Sequence, residues 1–136
     1  RYRCWPQFYA FYLNKRPTSV EMKEYFSQHR NAFEHKNARI FSAFAQNQTI
    51  DEGADKTVGY RFLKITNGTT LKVLYYTHVL GIGVGTFGTG IAFLQTPPSK
   101  SYPDFKDMYA DASKVEGFIG YCHIKGDWYI FLWGAN

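Results

Sequence analysis

Residues 60–78 carry the tightest local constraint in this chain. Two runs rich in β-branched and aromatic residues flank Asn67-Gly68, the dipeptide best suited to a two-residue type I′ hairpin. That turn predicts a register in which Arg61 faces Leu74, Leu63 faces Lys72 and Ile65 faces Thr70. Tyr60, Phe62, Lys64, Leu71, Val73 and Tyr75 then share the other face, which is the more apolar and is expected to meet the core. A second hairpin is predicted at Gly126-Asp127, between residues 117–125 and 128–133. Its register gathers Cys122, Ile124, Tyr129, Phe131 and Trp133 on one face, and Tyr121, His123, Lys125, Trp128, Ile130 and Leu132 on the other.

Ahead of these hairpins, Thr18 and Glu21 form a capping-box signature, and Met22, Tyr25, Phe26, His29 and Phe33 follow at helical spacing. A polar break at residues 34–37 is expected to end that helix. Residues 39–46 then alternate Ile40, Ser42 and Phe44 against Phe41, Ala43 and Ala45, as a buried strand would. Residues 1–14 are dense in aromatics and read as extended, interrupted by Pro6 and closed by a turn at 14–17. Between the hairpins, residues 101–114 predict a short helix with Ser101 as its cap and Phe105, Met108, Tyr109 and Ala112 on one face. The pattern is an α+β class: one main helix packed on an antiparallel β-sheet, with a short second helix.

At 136 residues and 15.7 kDa, the chain fits a single domain, 1–136. Aromatic residues make up 19% of it and charged residues 20%, which excludes disordered, collagen-like and coiled-coil architectures. The net charge of +5 permits an anionic partner. Residues 73–95 carry no acidic or basic side chain apart from His78, and on count alone would cross a bilayer. Their glycines and short apolar runs, with no basic cluster at either flank, fit a strand, a Gly-rich loop and a strand instead.

Two cysteines, Cys4 and Cys122, allow a single pairing in an oxidising compartment. Such a bridge would contribute roughly 4–5 kcal/mol on a chain-entropy estimate. The competing reading is two buried thiols in a reducing compartment. Asn47 and Asn67 each open an N-glycosylation acceptor triplet. The chain opens on Arg1 without a signal peptide, as expected of a mature secreted form or a trimmed chain.

Residues 83–88 fit the dinucleotide pattern GxGxxG, but a strand rather than a helix follows, so a twisted β connection is the expected reading. The four histidines, His29, His35, His78 and His123, match no metal-ligand spacing, and neither metal nor cofactor is expected. His78 and His123 are the best acid–base candidates because rigid strands would present them, yet no glutamate falls within a central strand to partner them. Arg61, Lys64, Lys72, Tyr76, Lys125 and Trp128 interleave cations with rings, as a stacking and phosphate-binding surface requires. With His78 and His123 they are the candidates for binding RNA or another partner. Lysines on sheet edges also serve to discourage aggregation.

Tyr2-Arg3-Cys4, the late Cys122, the small basic body and the order of extended segment, helix and antiparallel sheet resemble the secreted ribonuclease-like effectors of powdery mildew fungi. The resemblance implies a ribonuclease-like α+β fold, a Cys4–Cys122 bridge and secretion into a plant host, where an immune receptor is a candidate partner. It also implies that nuclease activity is not retained. The chain is longer than typical members and continues for 14 residues beyond Cys122. The expectation is therefore a secreted, monomeric, non-catalytic binding protein acting on a host protein or RNA. The alternatives are an active metal-independent ribonuclease using His78 or His123 with Arg61, and a carrier whose cavity is lined by Phe and Tyr.

Overall fold

A computed structural model describes residues 17–80, 86–112 and 114–135. Helix α1 spans Ser19–Ala45, followed by strands β1 (Phe62–Asn67), β2 (Leu71–Leu80) and β3 (Thr86–Leu94). Helix α2 (Phe105–Ala112) leads into β4 (Phe118–Lys125) and β5 (Trp128–Ala135). The strands form one antiparallel sheet in the order β1-β2-β3-β5-β4, so the class is α+β as expected.

The capping box at the start of α1 is complete: Thr18 Oγ1 accepts from the Glu21 N–H at 3.1 Å, and Glu21 Oε1 accepts from the Thr18 N–H at 2.9 Å. The helix does not stop at residue 34. It runs unbroken through the segment expected to be a strand, because Asn37, Ile40 and Phe44 extend the stripe of Met22, Phe26 and Phe33 at the same 3- and 4-residue steps. The alternation read in residues 39–46 was therefore a helical stripe seen over too short a window. The stop comes at Asn47, whose φ of 53° is left-handed. There Gln48 N–H donates to Ala43 O at 2.8 Å and Asn47 N–H to Phe44 O at 3.2 Å, a Schellman closure with asparagine in the usual glycine place.

Both hairpins form, each with a register the sequence did not predict. In the first, Asn67 pairs with Leu71 and Phe62 with Tyr76, leaving three loop residues instead of two. Neither Asn67 nor Gly68 takes the positive φ of a type I′ turn. The odd shift turns β1 over relative to β2, so Leu63 and Ile65 share a face with Val73 and Tyr75, while Phe62 and Lys64 go to the other. In the second hairpin the turn residues are Gly126 and Asp127, as expected, but Ile124 is an extra residue in β4. This bulge puts Cys122 opposite Ile130 and Tyr121 opposite Phe131, reversing the expected faces of β4.

Each face of the sheet carries its own apolar cluster. On one, Val73, Tyr75, Ile91, Trp128, Ile130 and Leu132 pack against Met22, Phe26, Phe33 and Ile40 of α1 and Phe105, Met108 and Ala112 of α2. On the other, Leu74, Tyr76, Leu94, Tyr121, Tyr129 and Phe131 cluster with Trp133. Helix α2 starts later than residue 101, and Ser101 does not cap it. Ser19 Oγ accepts from the Phe105 N–H at 2.8 Å and donates to Asp104 Oδ1 at 2.6 Å, so the first residue of α1 organises the start of α2.

Candidate functional site

The first grouping lies on β1 and β2, on the sheet face away from the helices. Phe62 stacks on its cross-strand partner Tyr76, with ring centroids 4.4 Å apart and planes at 15°. Tyr76 is buried beneath it, whereas Phe62 remains 42% exposed, a high value for a ring of that size. Lys64 lies two residues along the same face of β1, and Lys72 joins that face by pairing with Thr66. Lys64 is exposed and Lys72 half-buried, and neither forms an ion pair with a described residue. The result is an open ring with two cations, Lys64 on the edge strand β1 and Lys72 on its neighbour β2. Phe62 was missed in the sequence because the predicted turn placed it on the core side; only the three-residue loop reveals it as surface.

The second grouping surrounds His78. Between the pairs Tyr76–Gly90 and His78–Thr89, β2 carries one extra residue. Thr89 pairs in turn with Leu132 on the helix-facing side, so the bulge turns His78 toward α1. There it lines an open cleft of about 370 Å³ with Pro17, Glu21, Met22, Glu24, Tyr25 and Gln28. His78 Nδ1 lies 2.8 Å from Thr77 Oγ1, and that hydroxyl donates to Thr89 O at 3.3 Å. In the tautomer that carries its proton on Nδ1, the ring donates to that oxygen and Nε2 is left free to accept. Burial pushes the imidazole below its ordinary pKa; the nearby Arg61 guanidinium adds to this and Glu21 opposes it. Tyr25 is held aside, its hydroxyl donating to Gly59 O at 2.7 Å.

The remaining candidates do not join either grouping. Trp128 is core: it is 8% exposed and packs between the rings of Phe26 and Phe93 at 5.1 and 5.3 Å. Trp128 shares the helix-facing side of β5 with Ile130 and Leu132, so its ring is not open for the expected stacking. His123 and Lys125 are exposed on β4, at the opposite edge of the sheet from β1. His123 Nε2 is 2.8 Å from Gly126 O, and its ring meets Tyr129 edge-on at 5.0 Å, so it braces the turn. His29 Nδ1 lies 2.9 Å from Tyr25 O within α1, and no three metal-ligating side chains converge among the described residues.

Cys122 is a buried thiol on the helix-facing side, and burial pushes its pKa up to about 11. Its expected partner Cys4 lies outside the described residues, as do Gly83 and Gly85 of the GxGxxG pattern. Asn47 and Asn67 are both exposed. A further cleft of about 320 Å³, between the later turns of α1 and residues 48–51, is lined by Lys36, Arg39, Gln48, Thr49 and Asp51 among others. Of Phe and Tyr rings, Tyr25 lines the first cleft and none lines the second. No described helix is long and apolar enough to cross a membrane. No family model, curated protein or solved structure matches the chain.

Proposed function

We propose that this is a secreted, non-catalytic binding protein that takes single-stranded RNA on the β1–β2 edge. The observation that carries the proposal is Phe62, open on one side, backed by Tyr76 on the other and sharing its face with Lys64 and Lys72. A base stacks on such a ring whatever its identity, while the two ammonium groups follow the adjacent phosphates. Backing by Tyr76 holds the ring in place, so little side-chain entropy is lost when a base arrives. Secretion is supported by the two exposed acceptor asparagines, Asn47 and Asn67, and by the effector resemblance.

Titration of a fluorescent single-stranded oligonucleotide tests this reading, with electrophoresis of the same RNA after incubation. Saturable binding that weakens with salt and leaves the RNA intact is the expected result. No binding at low salt, together with capture of a host protein, transfers the function to protein recognition.

The active-ribonuclease alternative is favoured by one observation, the bulge that brings a neutral His78 into a cleft beside Glu21 with Arg61 nearby. Its Nε2 would act as the base on a ribose 2′-hydroxyl. Metal-independent cleavage that disappears in His78→Ala would establish that alternative.

A further inference from the structure

After α1 the chain turns back on itself. Asn47 and Gln48 close the helix, and residues 48–51 then lie beside its later turns, leaving the cleft of about 320 Å³ between them. One wall is a single stripe of α1, in which Lys36, Arg39, Ile40 and Ala43 follow at helical steps and set two cations beside apolar side chains. The other wall ends in Asp51, whose Oδ1 accepts from the Gly53 N–H at 2.9 Å, which fixes the carboxylate. Neither Lys36 nor Arg39 forms an ion pair with a described residue, Asp51 included, although all three line the cleft. The two walls therefore carry opposite charges that do not neutralise each other.

Tyr60 stands near the same walls. Burial pushes its phenol up to about 12, and the charges of Asp55, Asp51 and Arg39 reach it as well. Its hydroxyl stays protonated and has no hydrogen-bond partner among the described residues. Two cations three residues apart on a helix suit the oxygens of a phosphate, the guanidinium by its fork and the ammonium as a point charge. Asp51 repels a second phosphate and accepts from a hydroxyl instead. One phosphate beside hydroxyls fits this arrangement better than a continuous nucleic-acid backbone. At about 320 Å³ the cleft is at the small end of ligand pockets, with room for one sugar ring and its phosphate.

We propose that the cleft between α1 and residues 48–51 binds a sugar phosphate, with the phosphate on Lys36 and Arg39 and a sugar hydroxyl donating to Asp51. This chemistry occurs in free sugar phosphates and at the 5′ end of an RNA. Asp51 precedes Glu52, whose carbonyl accepts from the Leu63 N–H at 3.0 Å, so the cleft adjoins the outer edge of β1 on the side of α1. Phe62 points to the opposite face of that edge, where it stacks on Tyr76. The sugar-phosphate site is thus separate from the open ring and does not depend on it.

Titration of the isotope-labelled full chain with ribose 5-phosphate, followed by NMR, tests the site. Saturable shifts at the amides of residues 48–51 are expected, with affinity at least about tenfold weaker in Arg39→Gln. Arg39 is exposed, so this variant keeps the fold. Asp51→Asn retains an acceptor for the Gly53 N–H and should lower the preference for ribose 5-phosphate over inorganic phosphate by about threefold. Competition by a 5′-phosphorylated dinucleotide but not by its 5′-hydroxyl form makes the ligand an RNA end; competition by neither makes it a free sugar phosphate. Three results would overturn the proposal: no shifts at residues 48–51, an affinity that Arg39→Gln leaves unchanged, or equal competition by both dinucleotides.

Discussion

Tyr75 Oη donates a hydrogen bond of 3.0 Å to Asn37 Oδ1, and both residues are buried between α1 and the sheet. Asn37 belongs to the polar stretch that reads as a helix end. It is instead the polar member of the buried stripe, tolerated there because Tyr75 supplies its partner. Burial raises the Tyr75 phenol pKa, so it stays protonated as the donor. Asn37→Ala strands that hydroxyl without an acceptor and is expected to lower stability by about 1–3 kcal/mol in urea unfolding. Adding Tyr75→Phe to it should return part of the loss. A double variant whose effects simply add would deny the coupling.

The close approach of β2 and β3 depends on Gly90. A Cβ at this position would collide with Tyr75 O and come within 2.9 Å of Thr77 N, both backbone atoms that no side-chain rotation can move away. Gly90→Ala should therefore cost about 3 kcal/mol or more, or prevent folding. At Gly68, where the same atom meets nothing within 4 Å and φ is not positive, alanine should change stability by no more than about 0.5 kcal/mol. Equal unfolding midpoints for the two variants would contradict the sheet register.

The sequence made most of the described elements legible, apart from the strand expected over residues 39–46, but not the registers. The capping box at Thr18 and Glu21, the turn at Gly126-Asp127 and the helical spacing of Phe105, Met108 and Ala112 are local signals, and all of them hold. What failed depends on contacts distant in the chain. Asn37 looks like a break until Tyr75 is set beside it. Asn67-Gly68 favours a two-residue turn, yet burying Leu63 and Ile65 with Val73 and Tyr75 wins by demanding a three-residue loop. The bulges at Thr77 and Ile124 add one residue each and leave no mark in the hydrophobic pattern, although one of them aims His78 and the other sets the facing of β4. The candidate site was legible as cations beside rings. Which of them meet was not.

His78 gives the fold a pH dependence of definite sign. Its folded pKa is depressed by burial and by Arg61, so the unfolded chain takes up a proton that the folded chain resists. Its contribution is fully present above the ordinary histidine value near 6.5 and is lost as pH falls through and below it. Asp104 and Asp111 are held below their ordinary values, first by hydrogen bonds from Ser19 and Tyr102, and so act at lower pH. Denaturant unfolding at about pH 7.5 and about pH 5 should show a smaller difference for His78→Gln than for the parent chain. An NMR titration placing the His78 midpoint above 6.5 would refute this.

The central claim concerns the open ring on the β1–β2 edge, and binding of a labelled single-stranded RNA by Phe62→Ala, at several salt concentrations, tests it most directly. Losing one stacked base should weaken affinity by about 5- to 150-fold while leaving the salt slope unchanged, because no phosphate contact is removed. Lys64→Gln with Lys72→Gln should instead flatten the slope by about 1.4, two single-strand contacts at roughly 0.7 each. Undiminished affinity in Phe62→Ala, with the chain still folded, would contradict the account.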